Sequence, residues 1–325
     1  MSLAVPELAV VLVTADRGAT LRRTLRHLRE QTACERIELL LVGPDEASFG
    51  DLGPSALAGF AGCRTLAVGS IREVERALGA GVAAATAPLV ALLENHVYPE
   101  PGWAAAILRA HKGPWAAVGS VICNANPTTA TSWVEHFLSY GFHDESASGG
   151  EVARVSRNNA TFKRAVLVNF GDRLPDVLAR DGGLLEELQR HGHRFYLEPQ
   201  ARLRHLNLSR LGPMLMLRVL SARAAAATRA RTGDWSLARR VLYVAASPTF
   251  PLLRLRALWP RLRSHPARQV LLRIVPLLAL ALLLDAFGQA LGFALGAGES
   301  AERAGRYDLE RQPYLSAADR AFFAE

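Results

Sequence analysis

Short unbroken apolar runs alternate with apolar residues at helical spacing over the first two-thirds of the chain. Leu8–Thr14 (LAVVLVT) is continuous and β-branched, the pattern of a strand buried on both faces. Ala19–Gln31 follows with Leu21, Leu25 and Leu28 on one helical face and arginines between them. Ile37–Val42 (IELLLV) is a second buried strand, and Gly43–Gly62 reads as a loop with one helical turn. Arg64–Val68 is a short strand, Ile71–Ala85 an Ala-rich helix, and Leu89–Leu93 (LVALL) a fourth strand ending at Glu94-Asn95-His96. The alternation predicts a mostly parallel sheet flanked by helices, an α/β fold. Ligands in such sheets sit at the carboxyl ends of strands, so Thr14-Ala15-Asp16 and Glu94-Asn95-His96 are candidate site loops by topology alone.

Further on, Pro99–Trp103 is a turn leading into the helix Ala104–His111. Trp115–Cys123 is a strand and Trp133–Phe142 a helix, whereas His143–Glu151 reads as a mobile loop. Arg157–Arg164 is polar and then helix-like through Val168. Leu184–His191 is helical and stops at Gly192; Arg194–Leu197 and Ala201–His205 are short strands broken by Pro199. After Asn207 the pattern changes. Met214–Arg231, Leu237–Ala246 and Pro251–Trp259 mix leucine and arginine, and Pro248, Pro251 and Pro260 are expected to interrupt any long helix. Ile274–Ala297 carries one charge, Asp285; at 1.5 Å per residue it reaches about 36 Å, enough for a hydrocarbon core of about 30 Å. Two domains are expected: 1–210, and a helical region 211–325 that contains a transmembrane or re-entrant segment at 274–297.

Composition sharpens this division. The 325 residues are half apolar and 21% charged, which excludes a disordered or fibrous chain. Cys34, Cys63 and Cys123 are odd in number and far apart, excluding a disulfide framework and suiting a reducing compartment. The first 20 residues carry Glu7, Asp16 and Arg17 without a basic start and apolar run, so no signal peptide is expected. The net charge of +8 would suit nucleic acid, but it is unevenly placed. Residues 1–201 sum to −3 and residues 202–273 to +14. Those arginines interleave with leucines instead of with stacking aromatics, so the partner expected is an anionic membrane and not nucleic acid. Positive charge ahead of 274–297 would keep that side cytoplasmic.

Four segments in order, LAVVLVTADRGATLRRTLRHLREQT, LVALLENHVYPEPGW, RNNATFKR and HGHRFYLEPQARLRH, give residues 7–207 a likeness to a family-2 glycosyltransferase of the GT-A fold. The resemblance implies a nucleotide-sugar donor, a divalent metal (Mn2+ or Mg2+) and an inverting single displacement. Glu94-Asn95-His96 stands where that family carries Asp-x-Asp, which makes His96 a metal ligand and Glu94 a metal or donor contact, with Asn95 beside the donor. His205 stands where similar enzymes return a His to the metal or diphosphate. Inversion requires a base to deprotonate the acceptor hydroxyl. The family's acid before the helix ending at Gly192 corresponds to Asp181, with Glu187 as runner-up. Asn158 and Asn159 resemble the family's loop under the sugar, and amides suit hydroxyls because they both donate and accept. Thr14 and Asp16 are expected near the nucleotide. Trp103 and Trp133 are expected to pack.

Two positions depart from the family. Gly43-Pro44 stands where an Asp often reads the base, with Asp45 nearby, and Leu78-Gly79 stands where Arg-Asn is common, with Arg76 two positions earlier. The reading is an inverting, membrane-associated glycosyltransferase moving a sugar to a lipid-linked or polysaccharide acceptor. The alternative is a non-catalytic glycosyltransferase-like scaffold. A contact between copies in a homo-oligomer is a further alternative for 274–297.

Overall fold

The computed structural model describes residues 5–50, 52–180 and 182–323. The chain runs β1 (Leu8–Val13), α1 (Leu21–Arg29), β2 (Ile37–Gly43), β3 (Gly62–Ala67), α2 (Val74–Ala84), β4 (Leu89–Leu93), β5 (Val97–Pro99), α3 (Trp103–Ala110), β6 (Ala117–Asn124) and α4 (Ala130–Tyr140). It continues through β7 (Gly150–Val152), β8 (Ala160–Lys163), α5 (Arg164–Val168), α6 (Leu174–Ala179), α7 (Gly183–Arg190) and β9 (Phe195–His205). Helices α8 (Leu211–Thr232), α9 (Leu237–Ala246), α10 (Phe250–Ser264), α11 (Arg268–Leu295), α12 (Ser300–Leu309) and α13 (Ala317–Phe323) complete it. Two compact units result: one from 1–125, 147–178 and 182–206, the other from 126–146, 179–181 and 207–325.

The first unit is built on one sheet in the order β3-β2-β1-β4-β8-β6-β9-β5, with β7 against β9. β1, β2, β3 and β4 are mutually parallel neighbours, as the buried runs predict. The antiparallel β8 separates β4 from β6, and β6 and β9 are parallel. The carboxyl ends of β1, β4, β6 and β9 therefore share one edge, and β8 begins there. Leu8, Val10 and Leu12 pack under Leu21, Leu25 and Leu28 of α1, which accounts for that helix's leucine spacing. Trp103 lies wholly inside this core, its indole N–H donating to Ser120 Oγ at 3.0 Å, so it packs as expected.

Several elements differ from the sequence reading. Residues 195–205 form one strand, not two, because a register shift after Ser120 accommodates a bulge that absorbs Pro199. The polar 157–164 stretch contains the strand β8, whose alternation is too short to register beside its arginines. Val97–Pro99, of which Pro99 was read as the start of a turn, is an edge strand against β9. The segment read as a mobile loop at 143–151 ends in β7. Near its start Asp144 is fully buried; its Oδ1 accepts from Ser146 N at 2.9 Å, and burial pushes its pKa up.

In the second unit, Trp133 and Phe137 of α4 pack with Leu217 and Leu220 of α8 and with Ile274 and Leu278 of α11. Trp133, with its indole donating to Pro127 O at 2.9 Å, again packs as expected. Glu135 and Arg311 form a buried pair at 3.1 Å. Pro251 occupies the first turn of α10, where its missing N–H costs nothing, but Pro260 and Pro276 lie inside helices that continue past them. The Arg273–Leu295 part of α11 is long and apolar enough to cross a membrane. It also meets α8 backbone to backbone. A Cβ on Gly288 would fall 2.4 Å from Val219 O, and one on Gly292 would fall 2.3 Å from Arg223 O. Gly288-x-x-x-Gly292 thus opposes Ala222 and Ala226 in a small-residue contact of two parallel helices.

Candidate metal and donor site

The edge shared by β1, β4, β6 and β9 gathers three of the expected ligands. Glu94 follows β4 directly, His96 precedes β5, and His205 is the last residue of β9. Antiparallel pairing sets Val97 opposite His205, and Leu206 N donates to His96 O at 3.1 Å, so the two histidines are locked across one strand pair. Their Nε2 atoms are 3.0 Å apart, and His205 Nε2 is 3.2 Å from Glu94 Oε2. The ligating atoms of all three residues lie within 4.8 Å of one another. Both imidazoles are buried, while Glu94 is partly open to solvent.

Neighbouring residues orient this trio. His96 Nδ1 lies 2.9 Å from Asn95 Oδ1, to which it donates, leaving Nε2 with its lone pair toward His205 and Glu94. Thr24 Oγ1 donates to Asn95 O at 2.7 Å and holds that residue from below. Asn158 Nδ2 donates to Glu94 Oε1 at 2.9 Å and Asn159 Nδ2 to Oε2 at 2.6 Å. Asn159 also accepts from Glu94 N at 3.0 Å and donates its own N–H to Leu92 O at 2.7 Å. It does so with φ of 66°, a left-handed conformation that Asn tolerates and most side chains do not. Arg157 Nε donates to Asn158 Oδ1 at 3.0 Å, and its Nη1 meets Glu75 at 3.3 Å. Sequence reasoning missed Thr24, Arg157 and Glu75. The one local signal was the run of polar residues at 157–159.

The donor set fits a divalent cation. Two imidazole nitrogens and one carboxylate oxygen lie within 4.8 Å of one another, and such a cluster of acceptor atoms needs a shared cation or proton between them. Imidazole best suits the later transition ions and can also ligate manganese, whereas magnesium demands oxygen ligands in near-ideal octahedral order.

The other expected residues fall as follows. Thr14 is buried at the end of β1, and its hydroxyl donates to Asp16 Oδ1 at 3.1 Å. Asp16 Oδ2 accepts from Thr20 N at 2.9 Å, so this acid closes the turn that starts α1. Asp45 caps a 3-10 turn through Ser48 N at 2.9 Å, and Arg76 pairs with Glu73 at 2.9 Å. Glu187, on α7, is bound by Arg173 at 3.3 Å and by Arg190. Asp181 lies outside the described residues.

Residues 9–170 match the family described as glycosyl transferase family 2. A mannosyltransferase from Pyrobaculum calidifontis, solved in complex with GDP-Man and Mn2+, has a similar fold: TM-score 0.52 at 16% identity, over 95% of this chain and 88% of that one. At that identity the likeness speaks for the fold alone. No curated protein sequence matches the chain.

Proposed function

This chain is a family 2 glycosyl transferase of the GT-A fold over residues 9–170, and from that premise we propose an inverting, metal-dependent transfer at a membrane. The donor is a nucleotide diphosphate sugar and the acceptor a lipid-linked or polysaccharide hydroxyl. The observation that carries this reading is the convergence of Glu94, His96 and His205 at the carboxyl edge of the sheet. An enzyme of this class must stabilise the diphosphate that leaves, and an acid–imidazole trio at a strand-end edge is a place to do it.

Glu94 Oε2, His96 Nε2 and His205 Nε2 would hold a divalent ion, for which Mn2+ is the fitting choice and Mg2+ the poorer one. Bound there, the ion would supply Lewis-acid neutralisation of the diphosphate's negative charge. Asn95 and Thr24 keep His96 in the ligating tautomer. Asn158 and Asn159 fix the Glu94 carboxylate and would contact the donor sugar. Thr14 and Asp16 hold the β1 turn where a nucleotide would lie. Asp181 is the proposed base for the acceptor hydroxyl. Glu187 is the weaker candidate, since it would first have to release two guanidinium partners. The second unit, with its basic and apolar helices, is read as the membrane-facing part, with catalysis on the cytoplasmic side.

The test is transfer and hydrolysis from a panel of nucleotide sugars with Mn2+, with Mg2+ and with chelator. Turnover that requires a divalent ion, with Mn2+ better than Mg2+, is expected. A folded protein that binds donor without turnover under every condition would instead establish the non-catalytic scaffold.

A further inference from the structure

The second unit exposes apolar side chains in an ordered way. Leu237, Val241 and Leu242 of α9 are 59–75% exposed, and Leu252 and Leu253 of α10 are 71% and 63% exposed. No residue of α9 is buried. On α11 a stripe of Leu280, Leu283 and Phe287 is likewise open. These three consecutive helices, of which α9 and α10 both pack against α11, hold most of the exposed large apolar side chains among the described residues.

The charge on these three helices is nearly all of one sign, Asp285 of α11 being their single acid. Residues 235–284 contain eight arginines and no acid. Arg256, Arg263 and Arg268 are exposed, and Arg263 and Arg268 flank a recess of about 530 Å³ at the α10–α11 turn, lined also by Ser264 and Gln269. Leucines at helical spacing with arginines beside them are what an interfacial helix presents: side chains below the headgroups, guanidiniums among the phosphates.

α11 itself is poorly placed to cross. Gly288 and Gly292 bring its backbone against α8, which carries Arg218, Arg223, Arg229 and Arg231. Arg223 Nε donates to Gly296 O at 2.9 Å, and Arg218 lies 4.0 Å from Asp285. A spanning α11 would draw these arginines into hydrocarbon or tear apart this contact.

We infer that the second unit docks on an anionic phospholipid bilayer as a monotopic surface, with α9, α10 and the open stripe of α11 lying in the interface and α11 not spanning. The inference rests on the membrane reading proposed above and says how the contact is made.

The test uses the full chain. Flotation with vesicles of phosphatidylcholine, with and without phosphatidylglycerol, should show binding that depends on the anionic lipid and weakens with salt. Arg263→Gln with Arg268→Gln should lower the partition coefficient about 25-fold, since each surface arginine is worth about 5-fold. Leu252→Asn with Leu253→Asn should lower it at least about 10-fold. Both pairs are exposed, so circular dichroism melts should match the parent. Membranes from cells making the chain should release it into alkaline carbonate. Retention through carbonate would overturn the monotopic placement and leave membrane association standing. Binding to no vesicle and to no cell membrane would overturn both. Partition unchanged in both double variants, or a lipid-free dimer that Leu252→Asn with Leu253→Asn dissolves, would overturn the docking face.

Discussion

Replacing His205 by Ala tests the metal site at its most informative point. The side chain contributes one of three converging donor atoms, 3.0 Å from His96 Nε2 and 3.2 Å from Glu94 Oε2. The backbone contribution of residue 205 is its pairing with Val97, which Ala retains, so the strand pair and the placement of His96 should survive. Four-ligand structural zinc sites bind with about 10–16 kcal/mol, or about 2.5–4 kcal/mol per ligand. Water can take the vacated position on an open site, so the net loss should be smaller, about 2–3 kcal/mol, which is about 30- to 150-fold in affinity. Asn159→Ala removes a residue that orients Glu94 without ligating, and second-sphere losses run about 10- to 100-fold. The assay is titration of Mn2+ with free ion read by electron paramagnetic resonance, alongside thermal melts to certify folding. Mn2+ affinity unchanged in a folded His205→Ala protein would remove this histidine from the site and with it the three-ligand argument. Equal support of transfer by Mg2+ and Mn2+ would refute the reasoning from donor softness.

Asp181→Asn should abolish transfer, by about 10²-fold or more, while donor affinity measured by calorimetry stays the same; undiminished transfer would pass the base to Glu187 or elsewhere. His111 is buried, and that burial lowers its pKa to about 4. The unfolded chain binds this proton near pH 6.5, so the contribution is complete above pH 6.5 and is lost as pH falls toward 4, by at most about 3 kcal/mol. Denaturant melts of His111→Gln should lose that part of the acid dependence, and an unaltered profile would refute it. Arg311→Met leaves Glu135 buried without its cation, so unfolding stability should drop by about 3–5 kcal/mol, whereas replacing both partners by apolar residues should recover much of the loss.

How much of the site was legible from the chain differs residue by residue. Glu94 and His96 were recognisable because they follow an apolar run at a strand end, where such folds place chemistry, whereas His205 was reached through the family resemblance. The element types of β1, α1, β2 and β4 followed from apolar spacing alone, since both faces of a parallel strand and one face of its covering helix must be buried. β8 was hidden because four residues flanked by arginines carry too little alternation, and β9 was split at Pro199 because a bulge is a property of the pair and not of one strand.

Spacing and composition along the chain were enough for the alternation of strands and helices, for the strand-end edge where Glu94 and His96 lie, and for the segregation of charge that separates a mildly acidic region from a basic, leucine-rich one. These are local or compositional properties, written in the spacing of neighbours. Three-dimensional packing alone brings the two histidines to 3.0 Å, sets Asn95 against His96 and the amides of Asn158 and Asn159 against Glu94, and through Gly288 and Gly292 commits an apolar helix to a partner within the same chain. Each of these joins residues tens to more than a hundred positions apart or turns a side chain toward a particular neighbour. Such contacts arise from register, crossover and helix packing, which no window of sequence contains.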